Sequence, residues 1–207
     1  MIPILLAGGG GHCRSCIDVI ELNGGYEIIG LVKSDSAGVI DNSLRYPVVG
    51  SDKDLPILIK NCPNILIAIG QIKSPDARIK LYNYLKSINA NLPFIYSPLS
   101  YISPNANIGK GTIVMHAAIV NAGAKISENC IINTHSLIEH DVEIKAHCHV
   151  STAAKINGNV KIGEGCFIGS GAILREGIEI GSGSVIGAGQ IVMNDLPSKT
   201  LFTGNLK

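Results

Sequence analysis

The sequence predicts two unlike parts in one chain: a small α/β unit over residues 1–98 and a triangular solenoid of short parallel strands over residues 99–207. Two observations carry this reading. Up to about residue 96, strand-like apolar runs alternate with helix-like ones. Beyond it, a branched or long aliphatic residue falls at every sixth position from Ile102 to Val192, sixteen positions without an exception. Alternating strands and helices imply a parallel sheet covered on its faces. A period of six matches neither a helix nor an ordinary strand.

In the first part, Ile2 to Ala7 reads as a strand, glycines 8–11 as a tight turn and residues 12–22 as a helix with Ile17 and Ile20 on one face. Residues 28–32 read as a second strand and Val48-Val49 as a short one. Residues 65–69 read as a buried strand ended by Gly70. Residues 76–88 read as a helix, with Ile79, Tyr82, Leu85 and Ile88 three apart. Residues 92–95 read as a last strand. This order is Rossmann-like, and Pro93 and Pro98 mark the exit.

In the second part, the residue four places after each aliphatic is usually small, as at Ala118, Ala124, Cys130 and Ser136. One large and one small side chain then point inward on each six-residue side. Three sides make a coil of 18 residues, and each coil satisfies the backbone of the next. Cys130, Cys148 and Cys166 are 18 apart and fall in the small inward position, so they are expected to stack inside the coil. A metal site using His147, Cys148 and His149 is not favoured, and no metal is expected. Cys13 and Cys16 lack the surroundings of a redox pair.

Composition narrows the function. With 46% hydrophobic and 16% charged residues, the 207-residue chain is not a charge-rich disordered one. Lys and Arg number 17 against 16 Asp and Glu, so there is no basic excess for a nucleic-acid backbone. No apolar stretch reaches the roughly 18 residues of a membrane span, and no leader pattern is present. A cytoplasmic protein without membrane insertion is the expectation.

Five of the six histidines lie in the solenoid. His140 is followed by Asp141, and an imidazole held by a carboxylate is a natural base near neutral pH. Neighbouring residues in a strand face apart, so the pair requires a turn at that point. Glycines 8–11, between a strand and a helix, offer backbone N–H groups to an anion; a plain tight connection explains them as well.

The hexapeptide pattern resembles the left-handed parallel β-helix of the hexapeptide-repeat acyltransferases. Asn133-Thr134, Ile138, His140-Asp141 and His149, followed by Gly158-Asn159-Val160, resemble the sialic acid O-acetyltransferase family. They also resemble its close relatives that N-acetylate nucleotide-linked 4-amino-4,6-dideoxy sugars in bacterial glycan synthesis. The run from Gly8 to His12 resembles the Gly-x-x-Gly-His loop of the same proteins.

The resemblance implies an acetyl-CoA-dependent enzyme that transfers acetyl directly to a sugar amine. His140 would be the general base and Asp141 its partner. Asn133, His149, Gly158, Ala188 and Gly189 would contact acetyl-CoA. The loop at Gly10, Gly11 and His12, with Lys33, Asp35 and Gly70, would receive a nucleotide-sugar. A homotrimer with active sites between subunits is implied. Two other readings stay open: an O-acetyltransferase of sialic acid or a related sugar, and a noncatalytic regulator of a sugar-synthesis complex.

Overall fold

A computed structural model describes residues 1–33 and 44–204. The amino-terminal part is a four-stranded parallel sheet with helices on both faces. Its elements are β1 (Ile2–Ala7), α1 (Gly11–Asn23), β2 (Tyr26–Lys33), β3 (Val48–Ser51), α2 (Leu55–Asn61), β4 (Ile65–Ile67) and α3 (Asp76–Ser87). The sheet order is β3-β2-β1-β4. β1 is central, so both of its faces are covered. Ile4 and Leu6 pack with Cys16, Ile17 and Ile20 of α1, whereas Leu5 and Ala7 pack with Leu55 of α2 and Leu81 and Leu85 of α3. This is the alternation a strand imposes on successive side chains.

The turn after β1 depends on Gly8. Its φ is +142°, and a Cβ there would lie 2.7 Å from the Ala68 carbonyl oxygen. Gly24 ends α1 in the left-handed conformation, with φ at 69°.

Two expectations are corrected here, and one helix was not anticipated. The strand at 65–69 stops at Ile67. The apolar run at 55–61 is a helix, begun by Pro56 in its first turn. The strand expected at 92–95 is Ile95–Tyr96, and it pairs with Ile113–Val114 as the first rung of the solenoid rather than with the α/β sheet.

The solenoid is a left-handed β-helix of three parallel sheets with seven, six and five strands. Rungs pair with those 18 residues away, as Ile131–Ile132 pairs with His149–Val150. The sixth-position aliphatics and the small residues between them form one continuous buried core. Every sixth residue from Gly111 to Gly189 has a positive φ. Seven of these fourteen corner residues are glycine; the others include His135, Asp141 and His147. The glycines after the aliphatics serve another need. At Gly169 a Cβ would come within 2.6 Å of the Ala188 backbone nitrogen in the next coil.

The three outer faces differ. On the first, Ile95, Ile113 and Ile131 are buried under α1, which lies between the sheet and the solenoid. On the second, Tyr101, Ile119, Leu137, Lys155, Ile173 and Ile191 form an uncovered and mostly apolar column. On the third, Lys125 pairs with Glu143 and Lys161 with Glu179 at 2.8 Å. All six cysteines are free and buried. Cys148 donates its thiol to the Gly163 carbonyl at 3.0 Å, and burial pushes the Cys13 thiol up to about 12. Among the described residues, no helix is long and apolar enough to cross a membrane, and no group of three or more His, Cys, Asp or Glu is placed to hold a metal.

Candidate active site

His140 and Asp141 occupy the corner between the second and third faces. The strand Leu137–Ile138 ends just before them. Asp141 takes the left-handed conformation, with φ at 59°, and this turns its carboxylate back toward its neighbour. Its Oδ2 lies 2.9 Å from His140 Nδ1. The two side chains are 59% and 60% exposed. With Nδ1–H donating to the carboxylate, Nε2 is left as an acceptor and lies over Gly158 of the next coil.

Two glycines make room for this pair. A Cβ on Gly158, one coil on, would lie 2.6 Å from His140 Nε2. Gly123, one coil back, lies against the Asp141 carboxylate. The neighbouring Glu139 is held by Asn121 at 2.9 Å.

A second group of polar residues lies at the other edge of the second face, where α1 meets the first. Here a cleft of about 590 Å³ is lined by Gly11, His12, Gly70, Gln71, Asn133 and His149, with Phe167 and several hydroxyl side chains. His149 points outward from the first face but is 6% exposed, because the Gly70–Gln71 segment covers it. Its Nδ1 donates to the Gln71 carbonyl at 2.6 Å, and its Nε2 accepts from Asn133 Nδ2 at 3.1 Å. The ring edge meets Phe167, with centroids 5.2 Å apart. Burial pushes the His149 pKa down to about 4 and that of His12 to about 3; in both, the Arg78 guanidinium adds to the effect. Both rings are therefore neutral at physiological pH.

Residues expected to hold two different substrates thus share one cleft: Gly11, His12 and Gly70 from the α/β part, Asn133 and His149 from the solenoid. Gly10 caps the start of α1 just outside it. Ala188 and Gly189 lie on the same corner two coils beyond Thr152; Gly189 has φ at 68° and open space around it. Lys33 is exposed at the end of β2, and Asp35 lies outside the described residues. His140, Asp141 and Gly158 are not brought to this cleft. One coil side separates the two corners, at most about 20 Å of extended chain.

Sequence reasoning missed the residues that hold the cleft together. Arg78 is 1% exposed and donates to the carbonyls of Ile67 at 3.0 Å and Ile69 at 2.6 Å, and to Asn129 Oδ1 at 2.8 Å. Asn129 Nδ2 donates in turn to His147 Nδ1 at 2.8 Å. Gln71 Nε2 donates to the His147 carbonyl at 3.0 Å. A signal for Arg78 was present. Arg78, Leu81, Tyr82 and Leu85 follow the spacing of a buried helix face, and all four are buried.

Comparison with known proteins adds to this geometry. Residues 3–85 match the PglD N-terminal domain family, and residues 159–189 match the bacterial transferase hexapeptide (six repeats) family. A search of the curated proteins found no match by sequence. Among solved structures, PerB from Caulobacter crescentus, in complex with CoA and GDP-perosamine, is 31% identical. The match covers 95% of this chain and 91% of that one, with a TM-score of 0.86. The acetyltransferase domain of PglB from Neisseria gonorrhoeae, in complex with acetyl coenzyme A, is 29% identical. It covers 95% and 93% of the two chains, with a TM-score of 0.84. WeeI from Acinetobacter baumannii, 22% identical over 100% and 98% of the chains at a TM-score of 0.83, shares the fold. A GDP-perosamine N-acetyltransferase stands among the 31% identical structures. The expected membership of the sialic acid O-acetyltransferase family is therefore corrected: the 31% identical structures are those of a GDP-perosamine N-acetyltransferase.

Proposed function

The chain belongs to the family of acetyl-CoA-dependent N-acetyltransferases that act on nucleotide-linked amino sugars, and from that premise we propose how its residues divide the work. His140 is the general base and Asp141 holds its tautomer. The amine lone pair attacks the thioester carbonyl carbon, the N–C bond forms and the C–S bond breaks. His140 Nε2 takes the proton released from the nitrogen and passes it to the departing thiolate, so that amide and free CoA thiol leave. No acyl-enzyme is needed, and the buried thiols of Cys130, Cys148 and Cys166 take no part.

The unit of residues 1–98 receives the nucleotide-sugar. Gly10, Gly11 and His12 stand at the amino terminus of α1, where backbone N–H groups favour anionic ligands. Gly70 is the opposite wall; Lys33, the last residue of β2, and Asp35, outside the described residues, are assigned to the same substrate. The unit of residues 99–207 holds acetyl-CoA. Asn133 and His149 meet its acetyl end, and Gly158, Ala188 and Gly189 follow its pantetheine arm.

The observation that carries this reading is the His140–Asp141 pair, formed and exposed at a corner that its own cleft does not reach. A homotrimer resolves the separation. The first face is covered from Ile95 to His149 and the third is a charged ladder. The apolar second face, which runs between the two corners, is the one left to pack on another copy. Each active site then takes His140 from one subunit and the cleft from its neighbour. Acetyl-CoA and nucleotide-sugars place the protein in the cytoplasm.

The test is an acceptor screen with acetyl-CoA and UDP-, GDP- and dTDP-linked amino sugars, following CoA release and product mass. An N-acetylated nucleotide-sugar supports the reading. Absence of transfer to every amino sugar, or an O-linked product, overturns it. Sedimentation of the native protein tests the trimer.

A further inference from the structure

Arg78 has surroundings that need an explanation. Its guanidinium is buried, and all four of its acceptors are neutral: three carbonyls, of Ile67, Ile69 and Asn129, and the Asn129 amide oxygen. Among the described residues no carboxylate pairs with it. Its Nε has no partner. A buried cation without a counter-charge is costly, and the usual remedy is a neighbouring carboxylate. Here the charge stands just behind the cleft wall. Its shortest bond goes to the carbonyl of Ile69, and the next two residues, Gly70 and Gln71, line the cleft.

The groups facing Arg78 include no carboxylate. From α1 these are His12 and Cys16; from the solenoid they are Cys130, His147 and His149. Glu128, Glu164 and Lys86 stand beyond, around His147. The cleft is therefore a place where a second cation is disfavoured. Burial is the main cause that holds its two histidines neutral, and the Arg78 charge acts in the same direction.

Amide formation needs a neutral amine, because the lone pair of an ammonium is occupied. An ordinary alkyl amine is protonated at neutral pH. We propose that Arg78, an unpaired guanidinium behind the cleft wall, holds the acceptor amine of the nucleotide-linked sugar in its neutral form. The ammonium proton goes to water as the sugar enters. His140 then has only the proton released on bond formation to take. Arg78 touches no substrate; it acts through the wall, as a positioning residue for charge. This inference rests on the N-acetyltransferase reading above and deepens it.

The experiment uses the full chain and a nucleotide-linked 4-amino sugar labelled with ¹⁵N at the amine, bound without acetyl-CoA. The ¹⁵N shift is followed against pH, free and bound. The bound amine is expected to lose its proton about one pH unit or more below the free one. In Arg78→Met that difference should fall by more than half, and in Arg78→Lys, which keeps the charge, most of it should remain. The acidic limb of kcat should move up by about one unit in the Met variant.

A bound amine that titrates at or above its free value overturns the proposal, and the native protein alone decides that point even if a variant does not fold. An undiminished difference in Arg78→Met, or an equal loss in both variants, overturns the assignment to the charge of Arg78. If the sugar neither binds nor is acetylated, the functional reading itself fails. If it binds and is acetylated without a depressed amine, only the role of Arg78 fails.

Discussion

His140 and His149 stand half a coil apart, and the solenoid gives them opposite chemistry. His140 sits at an open corner, with a carboxylate on one ring nitrogen and nothing but a glycine beneath the other. His149 sits on a face roofed by the α/β unit, with both nitrogens engaged and its pKa near 4. One ring is free to move a proton and the other is fixed in one tautomer as a hydrogen-bonding strut. Place within the repeat, rather than residue type, assigns these roles. The corner at His140 remains wet, while the face at His149 takes on what covers it.

The sharpest way to break this comparison is to remove the open ring. His140→Ala should lower kcat by about 10²- to 10⁴-fold and leave acetyl-CoA binding and assembly nearly unchanged. Steady-state rates at saturating substrates, with calorimetry of the donor, check this; near-normal turnover would sink the assignment of the base. Gly158→Ala asks for less. Its methyl would meet His140 Nε2 at 2.6 Å and push the ring aside. A displacement of that size costs on the order of 10²-fold in rate, without loss of fold by circular dichroism.

Asp141→Asn should cost about tenfold, because the pair is exposed and water takes over part of the carboxylate's role. A loss as large as that of His140→Ala would mean that the carboxylate does more than orient the ring. The roofed rings should show themselves in stability instead. His12 and His149 have folded pKa values of about 3 and 4, below the ordinary value of 6.5. The unfolded chain therefore binds protons first as pH falls. Their stabilisation is complete above about pH 6.5 and is lost progressively down to about pH 4 for His149 and about pH 3 for His12. The thermal midpoint should drop over that window, and His149→Asn should flatten the drop. A midpoint that rises over the same window would contradict the buried, neutral reading.

How much of this was legible depends on what repeats. The solenoid was readable because every coil makes the same demand on its core, so Ile138, Ile156 and Leu174 repeat one instruction. Its first rung was missed because the sixth position before Ile102 is Tyr96, an aromatic in an aliphatic slot. The His140–Asp141 pair stood out as a dipeptide, and a six-residue corner rule explains why it forms. Gln71 and Asn129 are not legible. Each is polar, each is buried only by contact between the two units, and no local period reports such a contact. Of the residues that phase helix α3 in the sequence, Tyr82 and Leu85 lie on the buried face that Arg78 shares with Leu81, whereas Ile79 and Ile88 sit at its margin.

The three unlike faces also set a rule for how this chain can change length. Adding or deleting a whole coil of 18 residues moves everything beyond it by one rung, about 4.8 Å, and leaves each face with its own column. Adding six residues instead turns every later face by one third. The charged ladder of Lys125, Glu143, Lys161 and Glu179 would then continue as the column meant for another surface. Length variation beyond Gly158 is thus expected in eighteens. An engineer who wants a longer arm for a larger donor has only that unit to work with.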